Sequence, residues 1–496
     1  MRSGTHSPTE PPGNPAVEVA VVGAGAVGLT LAGRLAQHGV RVAVHEAETE
    51  RRRIGSKAIC MQRETLEIWA RLGIGEAVAS RGVRWTIGRT YFRGRQLFEI
   101  HLPEGEEHFP PFVNISQSEV EELLEGRLAE LEVAVHRGHR LTAVDQDGQG
   151  VTASFETPEG PASHRFGHLV GADGAHSAVR HAAGIGFDGY TFDDRFLISD
   201  VRADLPFSRE RHFHFDPPWN PRRQVLIHPQ PDGVWRIDWQ VPPETDAEAE
   251  LASGRLGTRI HQVIGEATPY ELVWMTAYRF SQRLADAFRV GRVFVAGDAA
   301  HVMSPFGARG LNSGVADAEN LAWKLARYLR HAAPASLLET YEAERRAAAT
   351  ENLAATEATM RFLAPHGPIR RAWRNLVFGL APRSTWFRRR VNSGRLAEPA
   401  RYAPSAIVEP GPLHGMVAPD ASLGDGRRVR DELGRGWVIV AARRPAGAGT
   451  VPVLLVSPGT PYGADRAWLI RPDGYVAASA PLMDPAGLAE LVGRVV

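Results

Sequence analysis

Apolar residues follow two rhythms along this chain, and the switches between them mark its parts. Val17 to Val22 is an apolar run broken only by Glu18 and followed by glycines, which predicts a buried parallel strand. Leu29 to His38 carries apolar residues at helical spacing and stops at Gly39, a usual helix-ending residue. Val40 to His45 reads as a second strand that ends at Glu46. Together they make one strand–helix–strand unit of about 30 residues. Thr65 to Leu72 predicts an amphipathic helix closed by Gly73, and Glu119 to Leu131 predicts another. Between about 190 and 280 the texture changes to strands, Phe196–Val201, Gln224–Pro229 and Val234–Gln240, with Pro- and Asp-rich turns. Val293 to Ala296 returns to the buried-strand pattern, and a long helical region runs from Val315 to about Arg361. Residues 363–411 are rich in Arg, Pro and Trp without clear period. Beyond 412, Trp437–Ala441, Val451–Val456 and Ala467–Ile470 predict strands, Pro472-Asp473-Gly474 a turn, and Ala486–Val492 a last helix.

Composition narrows the class. A length of 496 residues suggests two or three domains, and 43% apolar with 23% charged residues fits a soluble globular protein. Lys plus Arg equals Asp plus Glu at 57 each, so nothing in the charge favours nucleic acid or an anionic membrane. The apolar stretch Val19–Gly33 is shorter than the roughly 20 residues a membrane span needs. Cys60 is the single cysteine, which excludes an internal disulfide, a CxxC redox centre and a zinc–thiolate cluster, and fits a reducing, cytoplasmic setting. No metal site is expected.

Three segments carry chemistry. The first is Gly23-Ala24-Gly25-Ala26-Val27-Gly28 between the first strand and its helix. Gly23 permits the tight turn, Gly25 lets the backbone approach a pyrophosphate at the helix N-terminus, and Gly28 allows close packing of helix on sheet. Glu46, ending the second strand, can bind both ribose hydroxyls and disfavours a 2′-phosphate, so the nucleotide is FAD or NAD. The second segment is Gly171-Ala172-Asp173-Gly174, running through Ser177 to Arg180. The third is Gly297-Asp298-Ala299-Ala300-His301, continuing to Pro305, Gly310, Leu311 and Asn312. Asp298 stands at the C-terminal end of a strand, the ligand edge of an open α/β sheet, where it can accept a bond from a ribityl hydroxyl. Gly307, Gly310 and Asn312 offer backbone N–H groups opening a helix, suited to negative charge on a reduced flavin ring.

In this order the segments resemble those of the class A flavoprotein aromatic hydroxylases, most closely the branch of the 3-(3-hydroxyphenyl)propionate and pentachlorophenol hydroxylases. Gly55-Ser56-Lys57-Ala58-Ile59, Phe112-Val113-Asn114-Ile115-Ser116-Gln117 and Ser304 to Asn312 resemble further family segments, and the likeness covers about residues 17–400. It implies non-covalent FAD, NADPH or NADH as co-substrate, O2, and transfer of oxygen to an aromatic ring through a C4a-hydroperoxyflavin. It places Glu46 on the adenosine ribose, Lys57 near the pyrophosphate, Gln117 near the ribityl chain, Asp298 on ribityl or phosphate, and Gly310, Leu311 and Asn312 on the flavin ring. It puts the Pro305 carbonyl beside the oxygen-reaction site and associates Asp173 with both FAD and NAD(P)H. Lys57 stands where many members have Arg and gives a point charge in place of a bidentate fork. Ser116 and Glu119 also depart from the family form.

The expected fold class is α/β: a disordered leader (1–15), a Rossmann-like FAD-binding domain in two parts (16–189 and 286–362), an inserted mixed β-sheet substrate domain (190–285), a helical or irregular connector (363–411) and a C-terminal unit (412–496). That unit resembles a thioredoxin-like domain, chiefly in Leu469-Ile470-Arg471-Pro472-Asp473-Gly474, and lacks CxxC. Pro410-Gly411-Pro412 reads as its boundary, which predicts a separable unit serving stability or subunit contacts. Partners are a small aromatic substrate and O2, with room for a homodimer. In the inserted sheet, Gln224 and His228 share one strand face. Gln224, His228 and Trp239 are the candidate substrate contacts, and His228 joins Pro305 as a catalytic candidate because a histidine near neutrality can help deprotonate a phenol. Epoxidation, Baeyer–Villiger insertion or oxidative decarboxylation on a natural-product intermediate, and a non-catalytic flavin-binding sensor, are the competing readings.

Overall fold

The computed structural model describes residues 17–51, 55, 58–102, 107–207, 209–304, 307–363, 367–380 and 398–495. The expected leader, Lys57 and Pro305 lie outside these. A six-stranded sheet forms the nucleotide-binding core. Its order is Arg289–Val290, Val293–Val295, His168–Gly171, Val19–Val22, Val42–Glu46, Ala134–Arg137. All neighbours run parallel except the 289–290 edge pair. The first strand is wholly buried, as its unbroken apolar run requires. Helix Ala26–Gln37 starts three residues before the apolar rhythm becomes visible, because Gly25 caps it without a side chain. Helix Arg63–Leu72 ends on Gly73 at φ +101°, a left-handed C-cap that glycine adopts without strain.

The second sheet is larger than the sequence pattern indicates. Eight strands run in the order His301–Val302, Glu271–Ala285, Phe187–Arg202, Val234–Val241, Gln224–Pro229, Arg211–Phe215, Ile87–Phe92, Arg95–His101. The hairpin 87–101 comes from the first stretch of the chain, so the sheet is not confined to 190–285. It joins through a parallel pairing of Arg211–Phe215 with Ile87–Phe92. One face packs on helix Arg255–Ile264 through Leu256, Ile260 and Ile264. The other face is left for the cavity described below. The expected long helical region is two helices, Arg309–His331 and Ser336–Leu363, the first buried along most of its length.

The C-terminal unit holds a four-stranded sheet, in order Val453–Leu455, Val438–Ala441, Arg466–Ile470, Val476–Pro481, followed by helix Pro485–Val495. It docks on the rest of the protein through buried polar side chains. Arg471, fully buried, donates to both Glu344 oxygens at 2.6 and 2.8 Å and to Asp473. Lys324 Nζ donates to the same Glu344 at 2.7 Å, and Trp323 Nε1 donates to Asp473 at 3.0 Å. Nearby, Glu319 accepts from Arg34 at 2.7 Å and Arg71 at 3.0 Å, and Arg34 also donates to the Gly434 carbonyl. Tyr475 donates to Glu64 at 2.8 Å. This clasp of buried charge spans residues from 34 to 475. The stretch 469–474 is therefore docking surface as much as local turn. No helix among the described residues is long and apolar enough to cross a membrane.

Candidate active site

One cavity of about 1300 Å3 runs from the C-terminal edge of the six-stranded sheet to the open face of the eight-stranded one. Its first wall is the glycine turn. Gly23 sits at φ +107°, and a Cβ there would meet the Ala172 carbonyl oxygen at 2.4 Å. A Cβ on Gly28 would meet the Gly23 oxygen at 2.0 Å. These two glycines shape the turn and do not themselves line the cavity. Gly25, Ala26 and Val27 do line it, at the N-terminus of helix Ala26–Gln37. A Cβ on Gly25 would find only the Glu121 carboxylate, at 3.7 Å, so backbone N–H groups face open space. This is the geometry a pyrophosphate requires.

Glu46 lies on the same wall. One carboxylate oxygen accepts from the Ala24 N–H at 2.7 Å and the other from the Glu48 N–H at 2.9 Å, fixing the carboxylate against the turn. Gln117 opens helix Gln117–Glu130 on the cavity wall and donates to Glu121 at 2.7 Å. Asp298 projects into the cavity from the short turn Gly297–Ala299. That turn is held from behind. The Gly297 N–H donates to Asp317 at 3.0 Å, and Asp317 also accepts from His301 and Arg345, each at 2.7 Å. Burial pushes the Asp317 carboxyl upward, but His301 and Arg345 outweigh it and hold it below its ordinary range.

Gly310, Leu311 and Asn312 line the cavity at the start of helix Arg309–His331. A Cβ on Gly310 would meet nothing within 4 Å. The Asn312 side chain is engaged by protein: its oxygen accepts from the Gln62 N–H at 2.9 Å and Thr65 Oγ1 at 2.7 Å, and its amide donates to the Cys60 carbonyl at 3.0 Å. It ties the loop to the strand Cys60–Gln62. Asp173 does not line the cavity. Its carboxylate turns inward and accepts from the Val179 N–H at 3.1 Å, and burial raises its pKa.

The second wall is the eight-stranded sheet. Gln224, Leu226 and His228 face the cavity from one strand, with Arg236 and Asp238 from the next and Arg211, Phe213 and Phe215 from the other side. Trp239 does not. It is fully buried on the opposite face, among Leu197, Val225 and Ile260, because its position is odd in a strand where Arg236 and Asp238, at even positions, face the cavity. His228 stands in place, but its surroundings oppose the role of base. Burial first, then the cations Arg211 and Arg236, push its pKa well below the ordinary histidine value. Asn114 Nδ2 lies 3.4 Å from His228 Nδ1. Asp238 is the opposite case: burial pushes its carboxyl up to about 7. Sequence reasoning missed Asp238 and Arg211. The signal for the first was present, since Arg236 and Asp238 are charges two apart inside an apolar strand. Burial also pushes the Cys60 thiol up to about 12, so the thiol stays protonated. Among the described residues no cluster of His, Cys, Asp and Glu could hold a metal ion.

The FAD binding domain family matches residues 16–356. The chain is 34% identical to a 3-(3-hydroxy-phenyl)propionate/3-hydroxycinnamic acid hydroxylase of Mycolicibacterium smegmatis over 67% of this chain and 58% of that protein. It is 31% identical to a 12-dehydrotetracycline 5-monooxygenase/anhydrotetracycline 6-monooxygenase of Streptomyces rimosus over 95% of this chain and 97% of that one. Its fold is similar to that of aklavinone-11 hydroxylase solved with FAD and aklavinone, with TM-score 0.78, 27% identity, and 97% and 99% of the two chains covered.

Proposed function

The chain belongs to the class A flavoprotein aromatic hydroxylases, and from that premise we propose that it is an FAD-dependent monooxygenase acting on a phenolic or polycyclic aromatic substrate. NADPH or NADH supplies the electrons, and O2 supplies the inserted atom. The observation that carries this reading is the continuity of the cavity. The glycine turn, Glu46 and Asp298 share one space with the aromatic-lined sheet. Its volume exceeds the roughly 300–1,000 Å3 of a single drug-sized site, which leaves room for cofactor and substrate together.

Bound FAD supplies oxygen activation; the protein binds, orients and excludes water. Glu46 holds the adenosine ribose, the N–H groups at Gly25 and Ala26 hold the pyrophosphate, and Gln117 and Asp298 reach the ribityl chain. Gly310, Leu311 and the Asn312 backbone border the flavin ring. Lys57 near the pyrophosphate and the Pro305 carbonyl near the reacting atoms remain part of the reading. His228 serves as a neutral polar contact. Asp238, near its midpoint at neutral pH, is the better acceptor for a phenolic proton. The sheet order of the C-terminal unit, with its first pair parallel and the others antiparallel, supports a thioredoxin-like origin. Without CxxC its role is structural.

The test is direct. Purified protein should be yellow and release FAD on denaturation. NAD(P)H oxidation should be slow alone and rise with an aromatic ligand, and the product should gain one oxygen atom. Protein that takes up no FAD, or whose NAD(P)H oxidation no aromatic compound in a broad panel changes, would overturn the reading.

A further inference from the structure

The substrate wall has a chemistry of its own. Arg211 is the end of its cavity-facing row, and no carboxylate lies within ion-pair distance of it among the described residues. Its Nε is buried without a hydrogen-bond partner. Its guanidinium lies 5.5 Å from the Trp85 ring and 5.9 Å from Phe213. The backbone makes room for it: a Cβ on Gly88, its register partner in the next strand, would come within 3.2 Å of Arg211 Nη2. Two other deeply placed arginines are matched by carboxylates. Arg236 makes a two-pronged pair with Asp200 at 2.7 and 2.8 Å, and Arg345 meets Asp317. A guanidinium does not shed its proton in a protein, so one left unpaired in an apolar recess is costly unless a ligand matches it.

At the other end of the row stands Gln224, paired in register with Phe215. Only 2% of it is exposed, and neither its amide nitrogen nor its amide oxygen has a partner. Arg211 precedes Phe215 by four residues, about 13 Å of strand at roughly 3.3 Å per residue. Between the ends the lining is mostly apolar, with Phe213, Leu226, Phe196 and Phe280, and Asp238 stands beside Leu226 in the next strand.

We infer that this wall selects an extended aromatic acid: a flat, several-ring molecule whose anionic group, a carboxylate or an ionised enol, pairs with Arg211 while a neutral oxygen or amide at its far end bonds to Gln224. The aromatic middle lies over the phenylalanines. The inference rests on the proposed hydroxylase function only in naming the ligand a substrate; the binding preference stands apart from turnover.

The experiment uses FAD-loaded full-length protein and an anthraquinone carboxylate beside its methyl ester. Affinity is read from the change in flavin absorbance on titration, and NAD(P)H oxidation is followed separately. A charge-assisted bond to Arg211 should favour the acid over the ester by about 10- to 100-fold. Arg211→Met should erase that preference while the ester binds as before, Arg211→Lys should restore part of it, and FAD content should stay unchanged. Equal binding of acid and ester to the unaltered protein overturns the inference, as does an Arg211→Met protein that keeps the preference. Preference for the acid without any stimulation of NAD(P)H oxidation would sink the hydroxylase function and leave the anion site standing.

Discussion

The cavity wall and the clasp beneath the C-terminal sheet are both rich in buried charge, and they treat it in opposite ways. In the clasp, Glu344 meets Arg471 and Lys324, Glu319 meets Arg34 and Arg71, and Asp473 meets Arg471 and Trp323. A few atoms there lack partners, Arg71 Nε and Asn320 Oδ1 among them, but their residues are bonded through other atoms. On the wall, among the described residues, Arg211 has no counter-ion and Gln224 has neither amide atom bonded. Matched burial holds the parts together, and unmatched burial waits for a ligand. Composition does not separate the two; partner geometry does.

The strongest way to break this contrast is to remove the clasp. Ending the chain near Gly411 would uncover Trp323, Lys324, Glu319 and Glu344 together. The shortened protein is expected to be insoluble, and a soluble, flavin-loaded truncation would show that the clasp is dispensable. Within the full chain, Glu344→Ala leaves Lys324 buried without a carboxylate and should cost about 3–5 kcal/mol in denaturant unfolding. Replacing Lys324 and Glu344 together by Met and Leu, which leaves Arg471 paired with Asp473, should recover most of that loss, because desolvated charge and not lost contact is its source.

Acid sharpens the comparison, because the two regions respond with opposite sign. Burial works against the Glu344 carboxylate, but Arg471 and Lys324 outweigh it and bring its pKa down from 4.5 to about 2. A depressed carboxyl adds stability above its unfolded value, and that stability drains as pH falls from 4.5 toward 2. Burial raises Asp238 from 3.8 to about 7, so its contribution turns unfavourable as pH climbs across that interval. Urea midpoints measured against pH should therefore fall at the acid end, a fall that Glu344→Gln makes shallower while Asp317 and Glu319 keep their share of it. Asp238→Asn should flatten the decline toward neutrality and leave the acid end alone.

How much of this was legible follows from distance along the chain. The glycine turn, Glu46 and Asp298 lie within short local motifs, and Gly25, Glu46 and Asp298 all line the one cavity. The clasp was invisible because Arg471 and Glu344 are 127 residues apart and ion pairs have no period to read. Alternation grouped Gln224 with His228, yet it could not say which face meets the ligand, and Trp239 falls on the wrong one. The hairpin 87–101 escaped because its strands alternate weakly and pair with a strand more than 100 residues later.

Asp298 tests the cofactor half of the cavity with a moderate effect. Asp298→Ala should weaken FAD binding by about 1–3 kcal/mol, the worth of a buried hydrogen bond to a ribityl hydroxyl. Equilibrium dialysis against FAD would read it. Unfolding of the apoprotein should be unchanged, since Asp317 and Arg345 hold the turn from behind through Gly297. A variant with full affinity would remove Asp298 from the site.

The smallest effect is the most discriminating. Gln224→Leu nearly conserves volume and removes an amide that the ligand-free protein leaves unbonded. Burying such an amide without partners costs about 1–3 kcal/mol, so the leucine variant should be as stable as the parent or up to ~1 kcal/mol more stable. Its ligand-stimulated NAD(P)H oxidation should nonetheless weaken, because the far end of the substrate loses its polar contact. Stability rising while activity falls is the signature of a residue kept for its ligand. The clasp predicts the reverse pattern for Glu344, where stability falls first and activity follows it. If Gln224→Leu destabilises the protein as Glu344→Ala does, the amide is a structural group, and the division between matched and unmatched burial no longer separates scaffold from site.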